Sequence, residues 1–370
     1  MQRTFPTKRN AREWKEDNAK AISEKTFSDD KRTVQEAAEL WIKAVENGRG
    51  DNGPAEASTL RQYNYLASLY VIPELGSLKL CDLTKGDVSD FKDRLLKRVS
   101  RSLARKCLTA LKGILSEAHS QELVGVNVAA KVSVGRAKTE RREVVVPEIG
   151  EVQAILAELD RRATDKTWRR WRALIATAIH TGMRASEIRG LPWDAVDLRE
   201  GKVQVRQRAD ENGKVEEVTK SASGKRTISI PADLVQLLRE LKMEAGGHAL
   251  VFGTKTGKPE ALSNIHRRAW HPVQVAAGIT DIILDGTGKP KRDADGKPLV
   301  EARHNFHSLR HFHASMLIAA DTNPKEVQVE MGHADIQTTY NLYGHLFQDK
   351  DASQKRSERS ERLATMLTPR

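Results

Sequence analysis

Apolar residues at one-turn spacing dominate the first third of the chain. Thr33 followed by Glu36 makes a helix-start pattern, and Val34, Ala38, Trp41 and Val45 then recur on one face until Asn47 and Gly48 end the run. Leu60 to Tyr70 repeats the spacing, which predicts a helix closed by the Pro73 of VIPELG. Thr84 with Asp87 opens a third run through Phe91 and Leu95, and a fourth, RSLARKCLTALKGILSEAH, places Leu103, Cys107, Leu111, Leu115 and Ala118 on one stripe. Residues 31–130 therefore predict helices and no strand. After Pro147 the pattern predicts a helix through Val152, Ile155 and Leu159 and a second from Trp168 to His180. It then changes to alternation, and KVQVRQR, KVEEVTK and KRTISIP predict a small antiparallel sheet. Helices return over 232–245, 263–277, 308–320 and 324–331, the last with Asn323 as its cap, Pro324 in first position and Gly332 at its exit. Residues 284–302 hold two Gly-Lys-Pro turns and read as a hairpin or loop insertion.

The pattern predicts a mainly α protein with a small antiparallel β-sheet, in two domains. Residues 1–30 read as a mobile N-terminal arm, 31–130 as a helical domain, 131–146 as a basic linker, 147–350 as a mixed domain and 351–370 as a polar tail. The tail carries Leu363, Met366 and Leu367, enough for a short docking helix. Charge narrows the partner. With 62 Lys and Arg against 50 Asp and Glu among 370 residues, the net charge of +12 attracts polyanions. Apolar runs such as Ala173 to Ile179 are far too short to span a bilayer, and the N-terminus has no apolar signal core. Two cysteines, Cys81 and Cys107, are too few for a disulfide framework. These features describe a soluble protein of a reducing cytoplasm that binds nucleic acid.

Between Lys92 and Lys112 eight basic residues meet one acid, Asp93, and Arg101, Arg105 and Lys112 fall on one side of the fourth helix, away from its apolar stripe. A charge run is ordinarily a solvated helix face. Beside the net charge of the chain, a face that contacts DNA phosphates is the better reading.

Three clusters hold candidate chemistry: HTGMRASEIRGL at 180–191, HNFHSLRHFH at 304–313 and MGHADIQTTYNLYGH at 331–345. His307 and Arg310 lie one turn apart at a helix start, where side chains and the positive end of the helix dipole favour an anion. Arg184 follows the Thr181-Gly182 break, with Glu187 one turn on to hold its guanidinium. Two arginines converging on one phosphate form a permanently charged forked clamp. Each feature has a plainer reading. An Arg184–Glu187 pair is commonly a surface salt bridge. His304, His307, His311 and His313 could ligate zinc, but the His307–His311 pair lacks the carboxylate of an HExxH site. Tyr340 and Tyr343 could share a helical face, and spacing from His333 permits either as a nucleophile.

The order of Arg184, His307-x-x-Arg310, Gly332-His333 and Tyr343 resembles the signature of the tyrosine recombinases, the phage integrase family. TGMRASEI, HSLRH and MGHADIQTTYNLYGHLF are similar to its three boxes nearly letter for letter, with Met183 and Ser308 where the family often has Leu and Asp. The resemblance covers 147–350 as the catalytic domain, and more loosely 31–130 as a core-binding domain. It implies that Arg184 and Arg310 grip the scissile phosphate, that His307 is a proton acceptor and phosphate ligand, and that His333 donates to a non-bridging oxygen. It implies Tyr343 as the nucleophile, selected over Tyr340 by the match to YGHLF, with Gly344 lending backbone freedom and Glu187 in support. The family's lysine matches Lys220, with Lys225 as the second candidate because turn lengths vary.

The chemistry implied is transesterification through a 3′-phosphotyrosyl intermediate, without metal, cofactor or ATP, in which Lys220 protonates the leaving 5′ oxygen. The resemblance further implies a two-domain clamp on double-stranded attachment sites, a homotetramer, and accessory bending or directionality factors serving integration or excision of a mobile element. Two other functions share parts of the pattern. A type IB topoisomerase uses the same chemistry to relax DNA, and a DNA-binding regulator uses only the basic helical face.

Overall fold

The computed structural model describes residues 6–12, 30–49, 53–135, 145–217, 224–244 and 246–347. The chain divides into two units, Met1–Arg141 and Arg142–Arg370. In the first unit α1 spans Val34–Asn47 and is capped as its spacing predicts. The Glu36 amide donates to Thr33 Oγ1 at 3.2 Å, and the Thr33 amide donates to the Glu36 carboxylate at 2.7 Å. Helix α2 covers Ala57–Leu66, α3 Lys85–Arg98 behind a second reciprocal cap of Thr84 and Asp87, and α4 Arg101–Ser120. Their apolar stripes meet in one core that includes Val34, Trp41, Leu66, Phe91, Leu95, Leu111 and Ile114. Each such side chain contributes on the order of 2 kcal/mol through burial. Helices α1 and α4 approach closely because Gly113 has no side chain: a Cβ there falls 2.8 Å from the Trp41 ring.

Pro73 does not close the second helix. The chain turns once as a π-helix over Ala67–Val71 and continues as α-helix over Ile72–Leu75 with Pro73 inside it. A proline lacks a backbone donor and its ring crowds the turn before it. The wider π-turn accommodates both and the axis runs on. The same arrangement recurs in the second unit, where a π-turn over His266–Trp270 precedes Pro272 in His271–Ala276.

The second unit starts with α5, Ile149–Arg162, and α6, Lys166–Thr181, followed by the single-turn α7, Ala185–Arg189. Strands β1 (Val196–Asp197), β2 (Lys202–Val205), β3 (Gln207–Ala209), β4 (Val215–Glu217) and β5 (Arg226–Ser229) come next. The three alternating segments were expected in one sheet, but they form two. The strand order β1-β2-β5 makes a three-stranded antiparallel sheet, and β3-β4 is a separate hairpin. The break lies at Arg206, beyond which the chain is drawn onto α7. Gln207 Nε2 donates to the Gly190 carbonyl at 2.7 Å, the Arg189 guanidinium donates to Asp210 O at 2.9 Å, and a Cβ on Gly190 falls 2.6 Å from the Arg208 backbone.

Helix α8 spans Ala232–Glu244, and α9, Leu262–Ile265, leads into the second π-turn. The expected insertion is an antiparallel ribbon: β6 (Thr280–Ile282) pairs with β7 (Val300–Ala302), with bridges at Leu284–Pro290 and Arg292–Pro298 beyond them. Asp285 and Asp293 close its two turns through their carboxylates. Helices α10 (Ser308–Ala319), α11 (Pro324–Met331) and α12 (Ile336–Tyr343) complete the described chain. The main core gathers residues such as Ile155, Leu174, Ile228, Phe252, Trp270 and Leu309. A smaller cluster of Ala314, Ile318, Val327, Met331 and Tyr343 joins α10, α11 and α12. Among the described residues no helix is long and apolar enough to cross a membrane.

Candidate functional site

Helix α6 ends at Gly182 with φ of 56°, a left-handed conformation that suits glycine. A side chain is excluded there for a second reason: a Cβ falls 2.6 Å from the His313 ring. The turn presents the Gly182 carbonyl to Arg310 Nη1 at 2.6 Å and delivers Arg184 to the N-cap of α7. Glu187 accepts from the Arg184 amide at 2.9 Å and from Arg184 Nη1 at 2.7 Å. Its other partner is Arg226, whose Nη2 donates at 2.9 Å. Glu187 and Arg226 are both almost fully buried, with side-chain exposures of 2% and 3%. Burial alone raises a carboxyl pKa, but the charges of Arg226 and Arg184 prevail and hold Glu187 down at about 2. The pair is therefore no surface salt bridge.

The C-terminus of α11 organises three guanidinium groups. Gly332, left-handed at φ 63°, ends the helix and leaves its last carbonyls without backbone donors of their own. The Glu330 carbonyl accepts from Arg226 Nε at 2.7 Å, the Met331 carbonyl from Arg310 Nη2, and the Gly332 carbonyl from Arg184 Nη2 at 3.0 Å. Three consecutive carbonyls at the negative end of a helix thus hold three arginines from three other elements. Arg310 is buried, and burial together with the nearby Arg184 lowers its pKa from the usual arginine value. It stays charged at neutral pH.

The four histidines of 304–313 separate. His304 Nε2 meets Glu151 at 2.9 Å, while His313 lies between the Ile179 carbonyl at 3.1 Å and Glu330 at 3.2 Å. Both brace the core. His307, at the N-cap of α10, and His311, one turn later, face the arginines with ring centroids 4.9 Å apart at 90°. Burial, then Arg310 and Arg184, lowers the His307 pKa.

Tyr343 is 1% exposed, and its hydroxyl lies 2.7 Å from His311 Nδ1. Its ring stacks on His333 with centroids 6.4 Å apart at 16°. Burial pushes the phenol up to about 12, against the opposing pull of Arg310. His333 is buried, with Nδ1 2.9 Å from Thr339 Oγ1, so Nε2 is its nitrogen left for a ligand. Burial, Arg310, Arg184 and Arg226 bring its pKa down to about 4.

Arg184, Glu187, His307, Arg310, His333 and Tyr343 are thus assembled in one place. The tyrosines do not share a face. Thr339 and Tyr343, four residues apart, form the inward side of α12, whereas Tyr340 is 47% exposed beside Phe347. Gly344 has ordinary helical angles and serves by size, since a Cβ there falls 2.5 Å from the Tyr340 carbonyl oxygen. Lys220 lies outside the described residues. Lys225 is exposed and pairs with Glu217 at 3.3 Å. In the first unit Arg101 is exposed and donates to the Gly135 carbonyl at 3.2 Å, while Arg105 and Lys112 are half-buried. Sequence reading missed Arg226 and the contact of His311 with the tyrosine. Arg226 carried a signal: alternation places it on the buried side of β5 with Ile228, and a buried arginine calls for a carboxylate.

The sequence model of the phage integrase family matches residues 148–350. An integrase of Streptomyces ambofaciens is 26% identical over 335 residues, 84% of this chain and 76% of that one. The chain covers 46% and 52% of two further curated relatives, a XerC-like tyrosine recombinase of Caldanaerobacter subterraneus subsp. tengcongensis and an integrase of Staphylococcus phage L54a. Among solved structures, the Tn1549 transposon integrase in complex with transposon right end DNA superposes with a TM-score of 0.67 at 20% identity, over 88% of this chain and 99% of that one. A lambda integrase tetramer bound to a Holliday junction gives a TM-score of 0.61 at 16% identity, over 90% and 82%.

Proposed function

This chain belongs to the phage integrase family and is a tyrosine-type site-specific DNA recombinase; we propose that it cleaves and rejoins double-stranded attachment sites with Tyr343 as its nucleophile. The observation that carries this reading is the convergence of two arginines held by the end of α11 with a buried histidine and the buried tyrosine stacked on it. Arg184 and Arg310 supply fixed positive charge where a pentacoordinate phosphorus develops negative charge. His333 donates from Nε2 to a non-bridging oxygen, and His307, at the N-cap of α10, is a phosphate ligand. Tyr343 attacks phosphorus, the 5′ oxygen leaves with a proton from Lys220, and the 3′-phosphotyrosyl ester keeps the bond energy for rejoining without ATP. The guanidinium groups provide the charge that a metal ion provides elsewhere, so EDTA leaves cleavage intact.

The same reading places a homotetramer on two DNA sites in the cytoplasm of a bacterium or phage-infected cell, associated with the nucleoid. It serves integration or excision of a mobile element. The lambda integrase tetramer on a Holliday junction supports the assembly. Arg101, Arg105 and Lys112 are offered as phosphate contacts of the helical unit.

A nicked suicide duplex carrying the attachment sequence that flanks the gene tests the assignment. The wild-type chain forms a covalent adduct at Tyr343, and Tyr343→Phe forms none. An adduct in Tyr343→Phe sinks the nucleophile. Relaxation of plasmid DNA by a monomer without sequence preference would instead point to a topoisomerase.

A further inference from the structure

The resemblance places the tyrosine's proton acceptor at His307, the first histidine of the box. The geometry points elsewhere. We propose that His311 is a catalytic residue, the group that takes the phenolic proton from Tyr343 as its oxygen attacks phosphorus, leaving His307 as a phosphate ligand alone. The inference rests on the recombinase reading and deepens it.

Four observations converge. The Tyr343 hydroxyl is 2.7 Å from His311 Nδ1, within the range for direct proton transfer. His307 sits one turn earlier, at the N-cap of α10, and its ring meets the edge or face of His311 rather than the phenol. Tyr343 is held between two aromatic neighbours, stacked on His333 and tilted at 60° to His311, so the approach of its oxygen to His311 is set by packing on both sides. The charged and titratable groups facing His311 are His307 and Arg310 from its own helix, Tyr343 from α12 and His333 from the loop before it. None is an acid. Burial and the charges of His307 and Arg310 bring His311 down to about 4, so it is neutral at working pH with Nδ1 open to a proton, and the anionic phosphodiester bound between the arginines opposes that shift and strengthens it as a base. A neutral His311 that accepts at Nδ1 carries its own proton on Nε2.

The step balances. The Tyr343 O–H bond breaks and its proton moves to His311 Nδ1 while the tyrosine oxygen bonds to phosphorus. The bond from phosphorus to the 5′ oxygen breaks, and that oxygen keeps the electron pair and takes a proton from Lys220. His311 is then an imidazolium beside Arg310, a disfavoured charge pair. On rejoining it returns the proton to the departing phenolate, so cleavage and ligation use one group in both directions.

Single-turnover adduct formation on the suicide duplex separates the possibilities, with the full chain as wild type, His311→Ala, His311→Asn and His307→Asn. Asparagine keeps a hydrogen-bond acceptor near the position of Nδ1 but takes up no proton. Both His311 variants are expected to slow adduct formation by about 100-fold or more. Their rates rise with pH across a range where the wild-type rate is level, because hydroxide replaces the lost base. A duplex whose 5′ leaving oxygen is replaced by sulfur needs no leaving-group proton. It restores Lys220→Ala and leaves the His311 variants slow. Unchanged melting and unchanged affinity for the duplex show that the variants are folded. Wild-type rates in His311→Asn, faster cleavage in His311→Ala, or rescue of either variant by the sulfur substrate would overturn the proposal. Failure of the recombinase reading looks different, since Tyr343→Phe then still forms an adduct.

Discussion

The helical unit and the cluster around Tyr343 are both buried, yet they are held by different forces. In the first unit Val34, Trp41, Phe91, Leu95, Leu111 and Ile114 pack stripe against stripe, and the starts of α1, α3 and α4 are fixed by local capping. Around Tyr343, among the described residues, four buried apolar side chains gather, Ala314, Ile318, Val327 and Met331, while Arg184, Arg226 and Arg310 are tied to successive carbonyls at the end of α11. The apolar core tolerates changes that preserve volume. The polar assembly does not, because removing one partner strands a buried charge.

The widest break between the two regions comes from Arg226→Leu, which leaves the Glu187 carboxylate buried with one guanidinium fewer. A stability loss of about 3 kcal/mol is expected in denaturant titration, with adduct formation slowed about 100-fold by misplacement of Arg184. Retention of full cleavage would show that Glu187 positions nothing. Phe91→Ala costs about 3 to 5 kcal/mol in the first unit. At saturating DNA its cleavage rate falls much less than that of Arg226→Leu, and an equal fall would erase the contrast.

Acid provides a smaller and reversible version. The His333 pKa is near 4 in the folded chain against 6.5 as the ordinary value, so between those values the unfolded chain binds more protons. The stabilisation is whole above pH 6.5 and is lost as pH falls toward 4, by roughly 3 kcal/mol for His333. Urea midpoints at pH 7.5 and pH 4.5 measure it, and in His333→Gln the His333 share of the difference disappears while that of His311, also near 4, remains. Arg101→Gln lowers the salt slope of DNA binding by about one unit without touching the chemistry, and an unchanged slope removes Arg101 from the DNA face. Least of all, Tyr340→Phe leaves cleavage and stability within about 0.5 kcal/mol of wild type, being exposed on the far side of α12 from Thr339.

Local rules made much of the molecule readable in advance. The caps at Thr33, Thr84 and Asn323 and the exit at Gly332 depend on neighbours three or four residues away, and all four stand as their spacing predicts. That Arg184, His307, Arg310, His333 and Tyr343 belong together was legible too, through the resemblance of their three boxes to the family's signature, and the structure brings them together. Three other features depended on distant partners. Pro73 and Pro272 were absorbed by π-turns inside continuous helices, the β-segments split where Gly190 and Gln207 met, and four like histidines divided into two braces and two site residues.

The sequence by itself determined most of the helices, their caps and the basic charge, since those follow from short-range geometry and composition. Tertiary structure alone decided which groups touch. Glu187 joins Arg226 across 39 residues, Arg184 reaches Gly332 across 148, and the hydroxyl of Tyr343 finds His311 across 32. Contacts at those separations are fixed by how whole elements pack, so no window of the chain contains them.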